Sequence, residues 1–314
     1  MKIIATGASG FIGRRLLDKL RSNGHQVTQL VRNTADAGAG QAGGGQSGGD
    51  QAGGNQTGGN QAQWNPARSE LDVGLLDGAD AVINLSGAGV GDKRWNSRYR
   101  EVIRSSRVVP TRLLAEGCAA AGVPVLLNAS GIGYYGPRGD EPIDETAHAG
   151  TSFLAGVCVD WENAAAPARA AGVRVVHLRN GLVLGHEAGI LPKLALLTKL
   201  FAGGRLGSGR QFYPWISATD EIDGIVHLLT ADISGAVNLS GPKPVTNAEF
   251  TKELGQALHR PTPWVVPKFA LQLAVGGFAD EIIAGQNAVP RRLIESGFVF
   301  SHATLAEALR SEIR

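Results

Sequence analysis

Short apolar runs alternate along the chain with stretches in which apolar residues recur every third or fourth position. The first run, Ile3, Ile4 and Ala5, has buried-strand character and breaks at Thr6-Gly7. Behind it, Phe11, Ile12, Leu16, Leu17 and Leu20 are apolar at helical spacing, with Arg14, Arg15, Asp18, Lys19 and Arg21 between them. Gly24 is placed to cap that helix, and residues 26–31 read as a second strand ending at Arg32. The alternation continues with strands over 80–85, 123–129, 173–178 and 236–239. Helices are expected over 111–121, 152–171 and 191–201, and one more begins with a capping box, Thr246-x-x-Glu249. This order predicts an α/β fold, a doubly wound parallel sheet with its ligand loops on one edge. Short helical segments after Pro261 predict a smaller C-terminal subdomain, so residues 1–260 form the main domain and 261–314 a small helical one.

The turn between the first strand and the first helix carries the first candidate chemistry. Gly7, Gly10 and Gly13 recur every third residue there, as in a dinucleotide-binding strand–turn–helix unit. One glycine permits the tight turn, one lets the backbone approach a pyrophosphate, and one lets helix and strand pack closely. The helix's free N–H groups and positive dipole end then face the phosphates. Gly7, Ser9, Gly10, Phe11, Ile12 and Gly13 are the candidate residues of this cradle. An acid at the end of the second strand would hold the 2′-hydroxyl of NAD; Arg32 suits the 2′-phosphate of NADP, so NADP(H) is expected over NAD(H). Alone, Arg32 also reads as a solvated strand-end arginine. The 80–85 strand runs into Ser86-Gly87-Ala88-Gly89, a small-residue turn that should border the cofactor. Arg100, Arg104 and Arg107 share one helical face, which by itself reads as a solvated stripe.

Composition changes this picture in two places. Lys plus Arg number 30 against 28 Asp plus Glu, so no global field draws the chain to nucleic acid or to a membrane, and the expected partner is a small-molecule substrate. Cys118 and Cys158 stand far apart and in no metal spacing, which argues against a disulfide framework and for a reducing compartment. No apolar run approaches the roughly 18 residues of a membrane span. The early apolar run ends in the glycine turn instead of a cleavage site. A soluble, cytoplasmic protein is expected. The second change is abrupt: within 34–63 lie the successive pentapeptides GGGQS, GGDQA, GGNQT and GGNQA, with almost nothing apolar to bury. That tract is expected to be a disordered insertion without chemistry.

Several short motifs occur in order: TGASGFIG at 6–13, NLSG at 84–87, Arg94-Trp95, Ser106-Arg107 and SGIGYYG at 130–136. Trp161-Glu162, RNGLVLG at 179–185, NAEF at 247–250 and PRRLIESGF at 290–298 follow. Together they resemble an atypical group of extended short-chain dehydrogenase/reductases. That group is labelled epimerase-family, sugar-nucleotide-epimerase-like or cell-division-inhibitor-like, and its members end in a small domain of unknown function. The resemblance implies a nicotinamide cofactor, NADP(H), with residues 7–13 at the pyrophosphate and Arg32 at the 2′-phosphate. It also implies Leu85, Ser86 and Gly87 by the adenosine or ribose, Arg107 near the cofactor, and Val183 on the nicotinamide side.

The chain departs from the working enzymes of that superfamily, which use a Tyr-x-x-x-Lys helix and a Ser or Thr at the end of the neighbouring strand. In them the tyrosine exchanges a proton with the substrate hydroxyl, helped by the lysine. Counting back from Trp161-Glu162, the pair falls at Leu154 and Cys158; sliding the frame gives Cys158 and Glu162. The strand-end hydroxyl is Ser130, or is lost to Gly131 if Tyr135-Gly136 sets the alignment. Ser130 and Tyr134 are therefore the candidate catalytic residues, Tyr135 matching a tyrosine that extended members keep before a loop glycine. Cys158 reads as a small buried helix residue, Glu162 as a helix-surface or capping acid, and His148 with the acids of 140–145 as surface loop. No metal site is evident. The expected function is an NADP(H)-binding oxidoreductase or nucleotide-sugar epimerase-like protein with an unconventional proton donor. The alternative is a cofactor-binding sensor or interaction protein with little or no turnover.

Overall fold

The computed structural model describes residues 1–32 and 60–313, and its framework is one sheet of seven parallel strands. These are β1 (Lys2–Thr6), β2 (Gln26–Arg32), β3 (Asn60–Trp64), β4 (Ala81–Asn84), β5 (Val125–Gly131), β6 (Arg174–Asn180) and β7 (Gly235–Leu239). Across the sheet they run β3-β2-β1-β4-β5-β6-β7, so the winding reverses between β1 and β4, the place where open parallel sheets take ligands at the strands' carboxyl ends.

Side chains alternate across the pleat, and both faces are covered. Ile3, Ala5, Ile83, Leu127 and Val176 meet Leu16, Leu17 and Leu20 of α1 (Phe11–Ser22) and Ile225 of the helix Ala218–Thr230. On the other face Ile4, Val82, Leu126 and Val175 meet Leu114 and Cys118 of α2 (Ser97–Ala121) and Ala168 of the helix Ala166–Ala170. The doubly wound α/β fold expected from the alternation of apolar patterns is the fold observed.

Three boundaries differ from the sequence expectation. Residues 60–63, expected within the insertion, belong to β3: Ala62 pairs with Leu30, and the neighbouring Trp64 is buried against the β2 side of the core. The rest of that tract lies outside the described residues. The arginine-bearing segment and the helix expected over 111–121 form one α2, which carries Pro110 inside it. The helix expected over 152–171 is divided into α3 (Phe153–Asn163) and Ala166–Ala170, the second carrying Pro167 in its first turn, where proline is favoured.

Beyond residue 260 come the helices Lys268–Val275, Phe278–Ala284, Arg291–Glu295 and Leu305–Glu312. The last packs its Leu305, Ala308 and Leu309 with Phe250 and Leu254 of the helix Asn247–Ala257 around buried Trp215. Asn287–Ala288 pairs with Pro142–Ile143 of the loop beyond β5. Among the described residues no helix is long and apolar enough to cross a membrane.

Candidate functional site

The turn after β1 is built for close backbone approach. Gly7 has φ +69, and a Cβ there would fall 2.4 Å from the carbonyl carbon and oxygen of Leu85. At Gly13 a Cβ would lie 2.5 Å from Ala8 Cα, so only glycine lets α1 meet the turn. Gly10 is the N-cap residue; a Cβ there would meet nothing nearer than the Gly7 carbonyl at 3.3 Å. The first turn of α1 holds no acid and no side-chain cap, which leaves its N–H groups for a ligand's oxygens. Gly185 closes the turn from the other side, since a Cβ there would sit 2.0 Å from Phe11 Cζ. Val183, half-buried, pairs in register with Ile216 next to it, and Ile12 packs on the core. Ser9 is exposed and its carbonyl accepts from Arg14 Nη1 at 2.6 Å. Arg32 is exposed at the carboxyl end of β2, in register with Trp64.

A buried chain of hydrogen bonds ties the cradle to the strands. Ser86 Oγ donates to Thr6 Oγ1 at 2.9 Å, and Thr6 Oγ1 donates to Asn84 Oδ1 at 2.7 Å. Asn84 Nδ2 donates to Asn128 Oδ1 at 2.7 Å and to Thr111 Oγ1 at 2.9 Å, where Trp161 Nε1 also donates. The ends of β1, β4 and β5 are thus held to α2 and α3. Two asparagines in apolar runs, Asn84 at the end of β4 and Asn128 within β5, were the signal for this network. Arg107 does not belong to a solvated stripe. Its guanidinium donates to the carbonyls of Ala88 and Ile103, each at 2.9 Å, and lies against the Trp161 ring. A Cβ on Gly87 would come within 3.2 Å of it, and burial draws its pKa below arginine's ordinary value. Arg104 pairs with Asp160, and Arg100 lies over Trp95 and Phe153.

At the end of β5, α3 presents Leu154 and Cys158. A Cβ on Gly133 would lie 3.3 Å from Leu154 Cβ, and one on Gly131 would lie 3.7 Å from Cys158 Sγ. Burial, with the nearby Glu162 carboxylate, pushes the Cys158 thiol up to about 12, so it stays a thiol at neutral pH. Glu162 is not a surface acid. It is buried and takes two hydrogen bonds from Arg179, Nε to Oε1 at 2.8 Å and Nη2 to Oε2 at 2.9 Å. Burial opposes its ionisation, but the Arg179 bonds outweigh it and hold the carboxyl below its usual range. Ser130, also buried, donates its hydroxyl hydrogen to Glu162 Oε1 at 2.8 Å.

Arg179 also orders the tyrosines. Its Nη1 donates to the Tyr135 hydroxyl at 2.9 Å, and that hydroxyl donates to Asn238 Oδ1 at 2.7 Å. Burial pushes the Tyr135 phenol up to about 12. Tyr134 is half-buried, its ring under the Arg179 guanidinium and nearly perpendicular to the Tyr135 ring, and its hydroxyl has no hydrogen-bond partner among the described residues. Of the loop acids, Asp140 and Glu141 are exposed, as is His148, but Glu145 is half-buried and accepts from the Asn238 N–H at 3.0 Å. Arg179 was missed in the sequence because its partner lies on another element. So was Glu221 of the helix Ala218–Thr230, which is fully buried and pushed up to about 8 by that burial. One Glu221 oxygen lies 3.2 Å from the Asn180 side-chain amide, and the other has no partner. Among the described residues no cluster of His, Cys, Asp and Glu is arranged to hold a metal ion.

Comparison with known proteins agrees with this architecture. The model of the NAD dependent epimerase/dehydratase family matches residues 3–240, and that of a domain of unknown function, DUF1731, matches 266–312. An epimerase family protein of Mycobacterium leprae is 42% identical over 309 residues, which cover 98% of this chain and 94% of that protein. The crystal structure of human epimerase family protein SDR39U1 (isoform 2) with NADPH superposes with a TM-score of 0.85 at 28% identity, covering 99% of each chain. A nucleoside-diphosphate sugar epimerase of Corynebacterium glutamicum superposes with a TM-score of 0.76 at 34% identity, covering all of this chain and 58% of that one.

Proposed function

This chain belongs to the NAD dependent epimerase/dehydratase family, and from that premise we propose that it binds NADP(H) and acts as an oxidoreductase or epimerase-like enzyme with Tyr134 as its proton donor. The observation that carries the cofactor reading is the glycine cradle, where side chains at Gly7 and Gly13 would collide with backbone. Arg32 at the end of β2 would hold a 2′-phosphate, and the human relative crystallised with NADPH supports the same preference. Bound there, the nicotinamide would supply or accept a hydride. The chain's own residues then have divided tasks. Gly7 to Gly13 and the α1 N-terminus bind the pyrophosphate, and Leu85, Ser86 and Gly87 border the nucleoside. Arg107 braces the turn after β4, and Val183 would lie on the nicotinamide side. Ser130 has its hydrogen engaged by Glu162, so it is left to accept a hydrogen bond. Tyr134, with its hydroxyl unpartnered and its ring fixed by Arg179, is the group free to give a proton to an alkoxide. With Cys158 where a lysine would stand, the site lacks the ammonium that pairs with the tyrosine in the working enzymes, and reduction is expected over alcohol oxidation.

In this reading residues 261–314 form the substrate-side domain and the substrate is a small molecule. Cys118 and Cys158, both buried and unpaired, fit a reducing cytoplasm. NADPH consumption across a panel of carbonyl compounds tests the activity. Tyr134→Phe is expected to slow the chemical step while leaving NADPH affinity unchanged; turnover at the wild-type rate would remove Tyr134 from the chemistry. A second reading, a cofactor-binding sensor without turnover, draws support from Leu154, Cys158 and the engaged Ser130. It predicts NADPH binding with no consumption by any member of the panel.

A further inference from the structure

Of the thirteen large hydrophobic side chains exposed among the described residues, eight fall within 196–201 and 264–273. These two segments adjoin. Trp264 Nε1 donates to the Phe201 carbonyl at 2.7 Å, and the strand Trp264–Val266 pairs in parallel with Gly204–Leu206. Pro267 then leads into the helix Lys268–Val275, whose Phe269 and Leu273 stand one turn apart and are the most exposed of these eight. Leu196 and Leu200 are likewise one turn apart, at the end of the helix Leu191–Lys199 and just past it. Soluble monomers rarely gather so many large apolar side chains without a use for them.

The balanced charge of the whole chain conceals a local excess here. Residues 188–219 contain Lys193, Lys199, Arg205 and Arg210 and no acid; residues 254–279 contain Arg260 and Lys268 and no acid. All six cations are exposed. Lys268 pairs with Asp280 at 2.8 Å, and the other five have no ion pair among the described residues. Arg205 and Lys252 also line, with Trp264, an open groove of about 370 Å³ at the margin of the patch. A second copy related by a two-fold axis would bring these cations against their own kind. Nucleic acid would call for several aromatics set along a basic groove, whereas Trp264 is the one aromatic lining this groove among the described residues. Leucine, phenylalanine and tryptophan rimmed by cations are the composition of a surface that enters the headgroup region of an anionic bilayer.

We propose that this face, formed by 193–205 and 260–273, docks on an anionic phospholipid membrane, its apolar side chains entering the interface and its cations meeting phosphates. The proposal does not rest on the catalytic reading, which gives 261–314 to the substrate side. The test is co-sedimentation of the full chain with vesicles of phosphatidylcholine alone or mixed with phosphatidylglycerol, at low and high salt, with gel filtration of each protein. The wild type is expected to partition about tenfold more onto the anionic vesicles, and salt should weaken it. The double variants Leu196→Glu/Leu200→Glu and Lys193→Glu/Lys199→Glu should each lose about tenfold in partitioning with melting temperature and NADPH affinity unchanged. Absent sedimentation of the wild type, equal sedimentation of the variants, or a wild-type oligomer that the leucine variant disperses would each overturn the proposal, the last by making a second copy the occupant.

Discussion

The guanidinium carbon of Arg179 lies 3.5 Å from the centre of the Tyr134 ring while the same group grips Glu162 with two hydrogen bonds. One buried ion pair therefore fixes both tyrosines at the end of β5. Removing one partner leaves the other charged and unpaired in an apolar setting, so Arg179→Met should lower stability by about 3–5 kcal/mol. Arg179→Lys keeps the charge but loses the two-pronged geometry, and its denaturation midpoint should fall between the two. The carboxyl of Glu162 is held below its ordinary 4.5, so its contribution is present above that pH and disappears as pH falls through the lowered value. Relative to wild type, Glu162→Gln should therefore lose most at neutral pH and least in acid, measured by urea denaturation.

Glu221 has the opposite sign. Its carboxyl rises from 4.5 to about 8 in the folded chain, so between those values the folded state holds a proton that the unfolded state releases. Stability should then fall with rising pH by up to about 1.4 kcal/mol per unit, and level off above the folded value. Glu221→Gln removes that slope. Urea denaturation at about pH 5 and about pH 9 should find the variant gaining on wild type at the higher pH; parallel curves would mean that Glu221 is ionised where it lies.

Gly7 and Gly24 both have positive φ, +69 and +79, but only Gly7 faces backbone within 4 Å. Gly24→Ala should lower stability by about 1–2 kcal/mol for the left-handed backbone alone and leave NADPH binding intact. Gly7→Ala carries the same strain and also displaces the Leu85 carbonyl, so it should abolish NADPH binding. Calorimetry of the two variants separates the strain from the collision.

The cradle was legible in the sequence because its constraint is local: three glycines, a strand before and a helix behind. The place of Arg32 at the end of β2 was legible for the same reason. β3 was not, since Asn-Gln-Ala-Gln-Trp has little intrinsic strand preference and is a strand through its pairing with β2. Glu162 was misread because its helix position says nothing of Arg179, seventeen residues on, across which the fold closes a buried pair. Leu154 and Cys158, one of the two pairs the motif count allowed, lie on α3 beside Gly133 and Gly131. Where spacing along the chain sets the geometry, sequence reading succeeds; where tertiary folding brings charges together, the structure is needed.

Titration calorimetry of NADPH and NADH into wild type and Arg32→Ala tests whether Arg32 sets a preference for NADP(H). A guanidinium on a 2′-phosphate is worth roughly 1.5–3 kcal/mol, about tenfold or more in Kd. Wild type should bind NADPH tighter than NADH by at least about that factor, and Arg32→Ala should weaken NADPH until the two cofactors bind alike. Equal affinity for both cofactors in the wild type, or a preference that survives in Arg32→Ala, would contradict the account.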